Sequence, residues 1–316
     1  MAGKVITPPP GPVSLDRVKA ERVTTTDKSG AKIIQEPGNR TIIRQDNRII
    51  VTHNETTFIQ TINPSARVTN QPGGITETVY VRPDGVRVIS EVDGNGRLLR
   101  RFGRSPGGTE IVYVDNRKFY RNVVIGAGIA AVGVGIALAL APPRITIPRD
   151  RYIVDYERAD DDDLYRVLEA PPVERLERDY SLDEIRYNHT LRDRMPRIDL
   201  DTVNFETGSF TVTSDQYPKL ARVARAMARV IERSPTEMFL IEGHTDAVGS
   251  DEDNLSLSDR RAESIARVLI EYFSIPAENL VTQGYGEQYL KIDTQAAERA
   301  NRRVAIRRIS PLLGRG

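Results

Sequence analysis

The sequence predicts an α/β protein in which a C-terminal βαβαβ domain with a mixed sheet follows a β-rich hairpin or meander region and an apolar, glycine-rich segment. Strand-like and helix-like hydrophobic runs alternate in the last third, β-branched runs separated by turn residues fill an earlier region, and one 19-residue stretch has no charged side chain. We therefore divide the chain into a loosely attached tail, a β-meander, an apolar membrane-type segment, a charged connector and an α/β domain, at residues 1–39, 40–121, 122–143, 144–196 and 197–313.

The composition excludes several kinds of chemistry. The 316 residues suffice for two or three structural parts, and the chain has no cysteine. Disulfides, a thiol nucleophile, a cysteine zinc site and a lipid anchor on cysteine are therefore not expected. The three histidines, His53, His189 and His244, are far apart and lack metal-ligand spacing. We expect no metal site and no cofactor.

Charge is distributed unevenly along the chain. Residues 1–121 contain 19 Lys and Arg against 12 Asp and Glu, a net charge of +7, whereas the remainder carries a net −6. A basic front half could face lipid headgroups or an acidic polymer. Aromatic residues are sparse and no nucleic-acid-binding motif is present, so nucleic acid is not an expected partner. The first residues lack an apolar signal core, so we expect export to depend on a removed leader or another segment.

The region 40–121 has the pattern of a hairpin array. Its β-branched runs are interrupted by turn-forming stretches at Gln45–Asn47, Pro83–Gly85, Asp93–Gly96 and Pro106–Gly108. Turn residues between such runs indicate a β-meander. Nothing in the sequence identifies the protein partner that this region would bind. Residues 1–39 are polar and punctuated by proline and glycine, which is typical of a loose tail.

Residues 123–141 are the candidate membrane segment. Nineteen helical residues would span about 28 Å, close to a bilayer's hydrocarbon thickness. We predict a transmembrane helix in contact with membrane lipid; a buried glycine-rich hairpin or a segment docked on the envelope is the alternative. Gly126–Ala131 also fits a dinucleotide fingerprint. However, the following helix would be apolar all round and would end at Pro142-Pro143, so no nucleotide is expected.

The charged connector should contain short helices. Asp160–Asp163 is typical of a helix start, and Leu164, Val167 and Leu168 have helical spacing. In the last domain, hydrophobic runs predict strands, beginning with Val203–Phe205 and continuing near residues 238–241, 280–283 and 304–306. Helices are predicted after Ser214 and after Ser258, with a polar loop running to Leu257.

Two residues in this domain form a candidate binding site. Asp246 follows the strand near 238–241, and Arg261 is predicted at the opening of the next helix, at the margin of its apolar stripe. Arg260 should point into solvent. A carboxylate and a guanidinium facing one cleft, beside the donors of a helix N-terminus, would bind a zwitterion. From the spacing alone, a plain Asp246–Arg261 salt bridge remains the alternative.

A longer motif resembles the OmpA C-terminal family. It comprises Ile241–Asp246, Gly249, Asn254, Leu257-Ser258, Arg261-Ala262, Gly284–Glu287 and Asn301–Val304, in order and correctly spaced over roughly 115 residues. The resemblance implies a non-catalytic peptidoglycan-binding fold that holds the diaminopimelate residue of the stem peptide. It assigns the ligand ammonium to Asp246 and a carboxylate to Arg261, and it places Thr245, Asn254 and Arg303 near the pocket.

The resemblance also implies that His244 is structural. A histidine beside Asp246 suggests acid–base chemistry, yet no nucleophile or paired carboxylate accompanies it, so we expect no enzyme and no catalytic residue. The leading hypothesis is a cell-envelope tether whose C-terminal domain lies in the periplasm, binds the wall and is held by residues 123–141 in a membrane, of which the outer membrane is one candidate. The alternative is a wall-anchored, β-rich adhesin or assembly scaffold without a membrane span.

Overall fold

The computed structural model describes residues 14–94, 96–120, 140–200 and 202–313. Its helices are α1 (Leu15–Ala20), α2 (Glu55–Ile62), α3 (Arg117–Tyr120), α4 (Arg149–Tyr152), α5 (Asp161–Glu169), α6 (Leu182–Tyr187), α7 (His189–Arg192), α8 (Ala221–Arg233) and α9 (Asp251–Glu271). Short 3-10 helices occupy Ser214–Leu220, Ala277–Asn279 and Arg299–Asn301.

The strands form three sheets. The first contains β1 (Val23–Thr26), β2 (Lys32–Glu36), β3 (Arg40–Gln45) and β4 (Arg48–His53); the second contains β5 (Arg67–Gln71), β6 (Ile75–Val81), β7 (Arg87–Val92), β8 (Leu98–Arg104) and β9 (Glu110–Asp115). The third contains β10 (Ile153–Asp155), β11 (Arg197–Leu200), β12 (Phe239–Gly243), β13 (Leu280–Gly284) and β14 (Val304–Arg308).

The first two sheets are antiparallel meanders in sequence order, joined by α2. The predicted loose tail is wrong from residue 14 onward, because β2 pairs with β3 along its length and buries Ile33 and Ile34. The boundary at residue 40 therefore cuts through one sheet. The expected meander is interrupted by α2, which begins where the side chain of Asn54 accepts a hydrogen bond from the Thr56 amide at 2.8 Å.

The third sheet is mixed and has the order β10-β11-β14-β12-β13. Phe239 and Ile241 of β12 pack against α8 and α9, whereas Leu240 faces a second core on the opposite side. Successive residues of a strand point to opposite sides of the sheet, so β12 contributes to a core on each face. The expectation of a C-terminal α/β domain with a mixed sheet is confirmed.

Two details of that prediction are wrong. The first strand is Arg197–Leu200, and Val203–Phe205 lies outside any strand. The helix predicted to follow Ser258 begins eight residues earlier, at Asp251, where Ser250 accepts a hydrogen bond from the Asp253 amide. Its first turns bury polar side chains against the N-terminal sheet, so the apolar periodicity that predicts a helix is missing there.

The connector is part of the fold. Its strand β10 pairs in parallel with β11, and α5 packs on α8. The candidate membrane segment falls largely on residues 123–139, which lie outside the described residues. Within the described ranges, no helix combines the length and apolar character needed to cross a bilayer.

The N-terminal sheet is held on α9 by charged contacts. Lys19 and Arg22 both donate to Asp253, at 2.9 and 2.5 Å. Lys32 lies 3.2 Å from Glu252, and a further ion pair joins Arg44 to Asp251. The basic front half thus has an acidic partner at the start of α9, within the same chain.

Two glycines allow α9 to lie directly on the third sheet. Gly243 and Gly284 are paired across β12 and β13. A Cβ atom on Gly243 would lie 1.9 Å from the Ser258 carbonyl oxygen, and one on Gly284 would lie 2.4 Å from the Asp259 nitrogen. Any side chain at either position would force the helix away, so the glycines set the height of α9 above the sheet.

Candidate functional site

The loop after β12 is fixed by backbone hydrogen bonds. The His244 amide donates to the Arg303 carbonyl at 3.0 Å, and the Thr245 amide donates to the Gly286 carbonyl at 3.0 Å. These bonds join residues that are far apart in sequence and place Asp246 between the turn after β13 and the segment before β14.

Asp246 pairs with Arg302. Its Oδ2 accepts a hydrogen bond from Arg302 Nη1 at 2.6 Å, and its Oδ1 accepts one from the Val248 amide at 3.4 Å. The side chain of Arg302 is 43% exposed, whereas that of Asp246 is 10% exposed. The alternative of a plain Asp246–Arg261 salt bridge is therefore wrong, because the structure gives the aspartate a different, solvent-facing partner.

Arg261 lies in the middle of α9, so the prediction that it opens the helix is wrong, and helix N-terminal donors do not accompany it. Its Nε donates to the Ser209 carbonyl at 3.0 Å and its Nη2 to the Glu206 carbonyl at 3.4 Å. Its guanidinium also lies 4.8 Å from the centre of the Phe205 ring. No carboxylate forms an ion pair with Arg261 in the part of the chain that the structure describes.

Burial and the charge of Arg302 lower the pKa of Arg261 to about 10, while Asp246 acts in the opposite direction. The guanidinium nevertheless stays protonated at neutral pH. It is thus a desolvated positive charge held by backbone carbonyls, with Asp246 close enough to influence it.

A cavity of about 280 Å³ lies in front of this guanidinium. It is lined by Val203, Asn204, Phe205, His244, Arg261, Arg299, Arg302 and Arg303. Burial and, after it, the nearby arginines hold the pKa of His244 well below its usual value, so its ring is neutral. The charge of the cavity therefore comes from its arginines. Such a cavity favours an anion with planar, bidentate geometry, and a carboxylate meets that description.

The five predicted site residues occupy different positions around this cavity. Arg261 and Arg303 line it, whereas Asp246 adjoins it through Arg302. Thr245 and Asn254 do not line it. Thr245 Oγ1 is buried and has no hydrogen-bond partner within the described ranges, and the Asn254 side-chain amide donates to Glu287 at 2.5 Å.

Arg303 is held from the side opposite the cavity. Its Nη2 donates to the Tyr289 carbonyl at 3.1 Å, and its Nε lies 3.7 Å from Asp199 Oδ1. Burial lowers its pKa to about 10, although Asp199 opposes this effect. The sequence reasoning did not include Arg299 or Arg302 among the site residues. Arg302 lies directly before Arg303 in the motif, which was a signal that could have identified it, whereas Arg299 lies outside the motif.

The expectation that Arg260 is solvated is wrong. The residue is only 7% exposed, and its Nη2 donates to the Pro37 carbonyl at 2.8 Å and to Glu36 at 3.3 Å. Arg260 does lie on the face of α9 that points away from the core of its own domain, as its helical position predicts. The N-terminal sheet covers that face and buries the side chain.

Comparison with known proteins agrees with the motif. Residues 204–303 match the model of the OmpA family. This segment is an OmpA family domain. Outer membrane porin F of Pseudomonas aeruginosa is 36% identical over 110 residues, which are 34% of this chain and 30% of that protein. The outer-membrane lipoprotein YfiB of the same organism is 39% identical over 94 residues, 29% of this chain and 53% of that protein.

Among solved structures, the peptidoglycan-associated lipoprotein from Burkholderia pseudomallei aligns with 25% identity and a TM-score of 0.28, covering 34% of this chain and 86% of that chain. The chain thus spans about a third to half of the length of the two curated relatives. The resemblance inferred from the motif is confirmed for this domain.

The OmpA-like domain also contributes to a buried charge cluster on the opposite side of α9. Ligand atoms of His53, Asp259 and Glu263 lie within 4.8 Å of one another, a spacing that a metal ion could use. Arg40 occupies this position, with its Nε 2.7 Å from Asp259 and its Nη2 2.7 Å from Glu263. The carboxylates therefore already have a cation, and the cluster serves as an internal ion-pair network.

Proposed function

We propose that the OmpA-like domain binds peptidoglycan non-covalently and without catalysis, by holding the diaminopimelate residue of the stem peptide. The observation that carries this proposal is the buried, protonated guanidinium of Arg261, which faces a 280 Å³ cavity and has no carboxylate partner among the described residues. The match of residues 204–303 to the OmpA family supports the assignment.

The carboxylate of the ligand would occupy the arginine-lined cavity. Arg261 is oriented by two backbone carbonyls and by Phe205, so little side-chain entropy would be lost when it binds. A charge-assisted hydrogen bond in such a site contributes about 1.5–3 kcal/mol. Arg303 adds positive charge on the same wall.

The ammonium of the ligand would bind Asp246. In the structure this carboxylate is paired with Arg302, whose side chain is 43% exposed and can swing into solvent. A ligand ammonium can replace it without leaving Asp246 unpaired, which would be costly for a side chain that is 10% exposed. Thr245, whose Oγ1 has no partner in the part of the chain that the structure describes, lies next to Asp246 in sequence.

Binding at one stem peptide would be of modest strength, because it relies on a few partly solvated contacts. Many stem peptides on one polymer would raise the overall affinity through multivalency. This arrangement suits a tether that joins an envelope component to the wall. We place the protein in the cell envelope, with the OmpA-like domain in the periplasm.

The test is co-sedimentation of the full chain with purified diaminopimelate-type sacculi. We compare wild type with Arg261→Met and Asp246→Asn, and use Arg225→Met as a control, because Arg225 is an exposed arginine on α8. Both site variants should lose pelleting by at least about tenfold in apparent affinity, whereas the control should pellet like wild type. Sacculi with lysine in place of diaminopimelate should bind more weakly, because they lack the second carboxylate.

Equal pelleting of wild type and both site variants, with unchanged circular dichroism, would overturn the proposed site. Equal binding to lysine-type sacculi would retain wall binding but reject diaminopimelate as the recognised group.

The attachment of the other end of the tether also belongs to this proposal. We assign it to residues 123–141, in contact with membrane lipid. Full-length protein should then partition with detergent or liposomes, and deletion of residues 123–139 should release it. Partitioning that is unchanged by the deletion would favour the wall-anchored scaffold without a membrane span.

A further inference from the structure

A second, larger cavity lies on the other side of α9. Its volume is about 580 Å³, and it is enclosed by β2–β4, the turn between β7 and β8, α6 and the end of β13. It shares no lining residue with the 280 Å³ cavity near Arg261. Its size lies in the range of about 300–1,000 Å³ that is typical of small-molecule sites.

Arg186 is the exceptional residue in its wall. The residue is 7% exposed, and its Nε and Nη2 atoms are buried without a hydrogen-bond partner among the residues that the structure describes. Its ion pair with Glu55 is long, with Nη2 3.8 Å from Oε2, and that carboxylate already accepts a hydrogen bond from Arg101. Buried guanidinium donors are normally satisfied, because leaving them unpaired costs free energy.

The other charged groups around the cavity have their partners. Arg40 is bound by Asp259 and Glu263, and Arg97 forms a 2.6 Å ion pair with Asp93. Glu36 is paired with Arg22 at 2.8 Å. Arg40 Nη2 also lacks a hydrogen bond among the described residues, but it lies 2.7 Å from the Glu263 carboxylate, whereas Arg186 Nη2 lies 3.8 Å from its nearest ion-pair partner.

The carboxyl group of Asp183, which lies one turn before Arg186 on α6, does not satisfy it either. Asp183 accepts a hydrogen bond from the Tyr120 hydroxyl at 2.8 Å, and burial raises the pKa of its carboxyl group. Amide and hydroxyl side chains, among them Gln35 and Thr41, line much of the remaining wall. The cavity thus offers one desolvated cationic fork among polar side chains and charged groups that already have partners.

We propose that this cavity binds a small molecule in which a carboxylate is surrounded by hydroxyl or amide groups. The carboxylate would accept hydrogen bonds from Arg186 Nε and Nη2, since a planar guanidinium matches a carboxylate in bidentate geometry. The amide and hydroxyl side chains of the wall would bind the neutral groups of the ligand. An acidic sugar and an acylated amino acid share this chemistry.

The experiment is isothermal titration calorimetry of the full chain carrying Arg261→Met, which removes the arginine proposed to bind peptidoglycan. N-acetylmuramic acid and N-acetylglutamate are the carboxylate probes, and N-acetylglucosamine is the neutral probe. At least one carboxylate should bind saturably and at least about tenfold more tightly than the neutral sugar. The carboxylate that binds more tightly identifies the ligand source.

Two further variants test the position of the ligand. Arg186→Met should weaken binding at least about tenfold, whereas Arg175→Met, at an exposed residue, should not. Because loss of Arg186 could disturb folding, Gln35→Trp provides an independent test. Gln35 is exposed on β2, and tryptophan there would fill the cavity while leaving the buried charges intact. Thr25→Trp on the exposed strand β1 is its control.

Absence of binding by both carboxylates, equal binding of the neutral sugar, or unchanged binding in the Gln35→Trp protein would overturn the proposal. None of these results bears on sacculus binding at Arg261, so the two proposals can fail separately.

Discussion

Arg40 of β3 donates a 2.7 Å hydrogen bond from its Nε to Oδ2 of Asp259 on α9, and both side chains are at most 2% exposed. The pair joins the N-terminal sheet to the helix that carries Arg261 on another face. The same Asp259 accepts a 2.7 Å hydrogen bond from the Gly284 amide through its other oxygen. One carboxylate thus connects the N-terminal sheet, α9 and the end of β13.

Replacing Arg40 with methionine should strongly destabilise the protein. The change would leave Asp259 buried with His53 as its remaining ion-pair partner, and breaking a buried pair costs about 3–5 kcal/mol. Urea denaturation followed by circular dichroism measures the loss. Lys28→Met, at an exposed turn residue, should change the free energy of unfolding by less than about 0.5 kcal/mol. Similar stability of both variants would show that Arg40 is not the main link.

The contribution of His53 should depend on pH. Burial disfavours its charged form, but Asp259 outweighs this effect and the pKa of His53 is raised above its ordinary value. Arg186 opposes the charged form and Glu263 supports it. A group whose pKa is raised on folding stabilises the protein fully below its unfolded pKa of about 6.5, and this contribution disappears as the pH rises through the folded pKa.

The measurement is the free energy of unfolding of wild type and His53→Gln at about pH 6 and about pH 9. The advantage of wild type should be larger at the lower pH. His244, whose pKa is lowered by burial, contributes in the opposite direction, but it is present in both proteins and cancels in the difference. A difference that is constant with pH would contradict the assignment.

Gly243→Ala should disrupt the packing of α9 on the third sheet. The new Cβ atom would lie 1.9 Å from the Ser258 carbonyl oxygen and 2.7 Å from its carbon, and backbone atoms cannot rotate away. We expect a loss of more than about 4 kcal/mol or failure to fold. Gly107→Ala is the control, since its Cβ would meet only the Ser105 hydroxyl at 3.8 Å. A Gly243→Ala protein with wild-type stability would refute the close packing.

A fragment of residues 190–316 should melt at a lower temperature than the full chain, even though it contains the whole family match. It lacks Arg40 and His53, the partners of Asp259, and the strands that cover Leu255. Exposed core residues and an unpaired Asp259 would both destabilise it. Differential scanning calorimetry compares the midpoints, and equal values would show that the OmpA-like domain is independently stable. Sacculus binding is therefore best measured on the full chain.

The residues of the candidate binding site could be predicted from the sequence where they belong to a motif. Contacts of this candidate site that depend on distant segments could not be predicted. Asp246, Arg261 and Arg303 were found from a long, ordered motif, and Arg261 and Arg303 do line one cavity. The pairing of Asp246 with Arg302 joins residues 56 positions apart, and neither spacing nor periodicity encodes it. The start of α9 was missed because its first turns bury polar side chains.

The sequence by itself determined the OmpA-like domain, its mixed α/β character and the hairpin turns before it, because motifs and turn residues act over short distances. Only the tertiary structure decided that residues 23–53 form a sheet lying on α9, that Arg260 is buried, and that Arg186 faces a second cavity. These features arise from contacts between side chains more than a hundred residues apart. Whether such a charge is solvated or buried depends on which segment covers it, and folding alone establishes that arrangement.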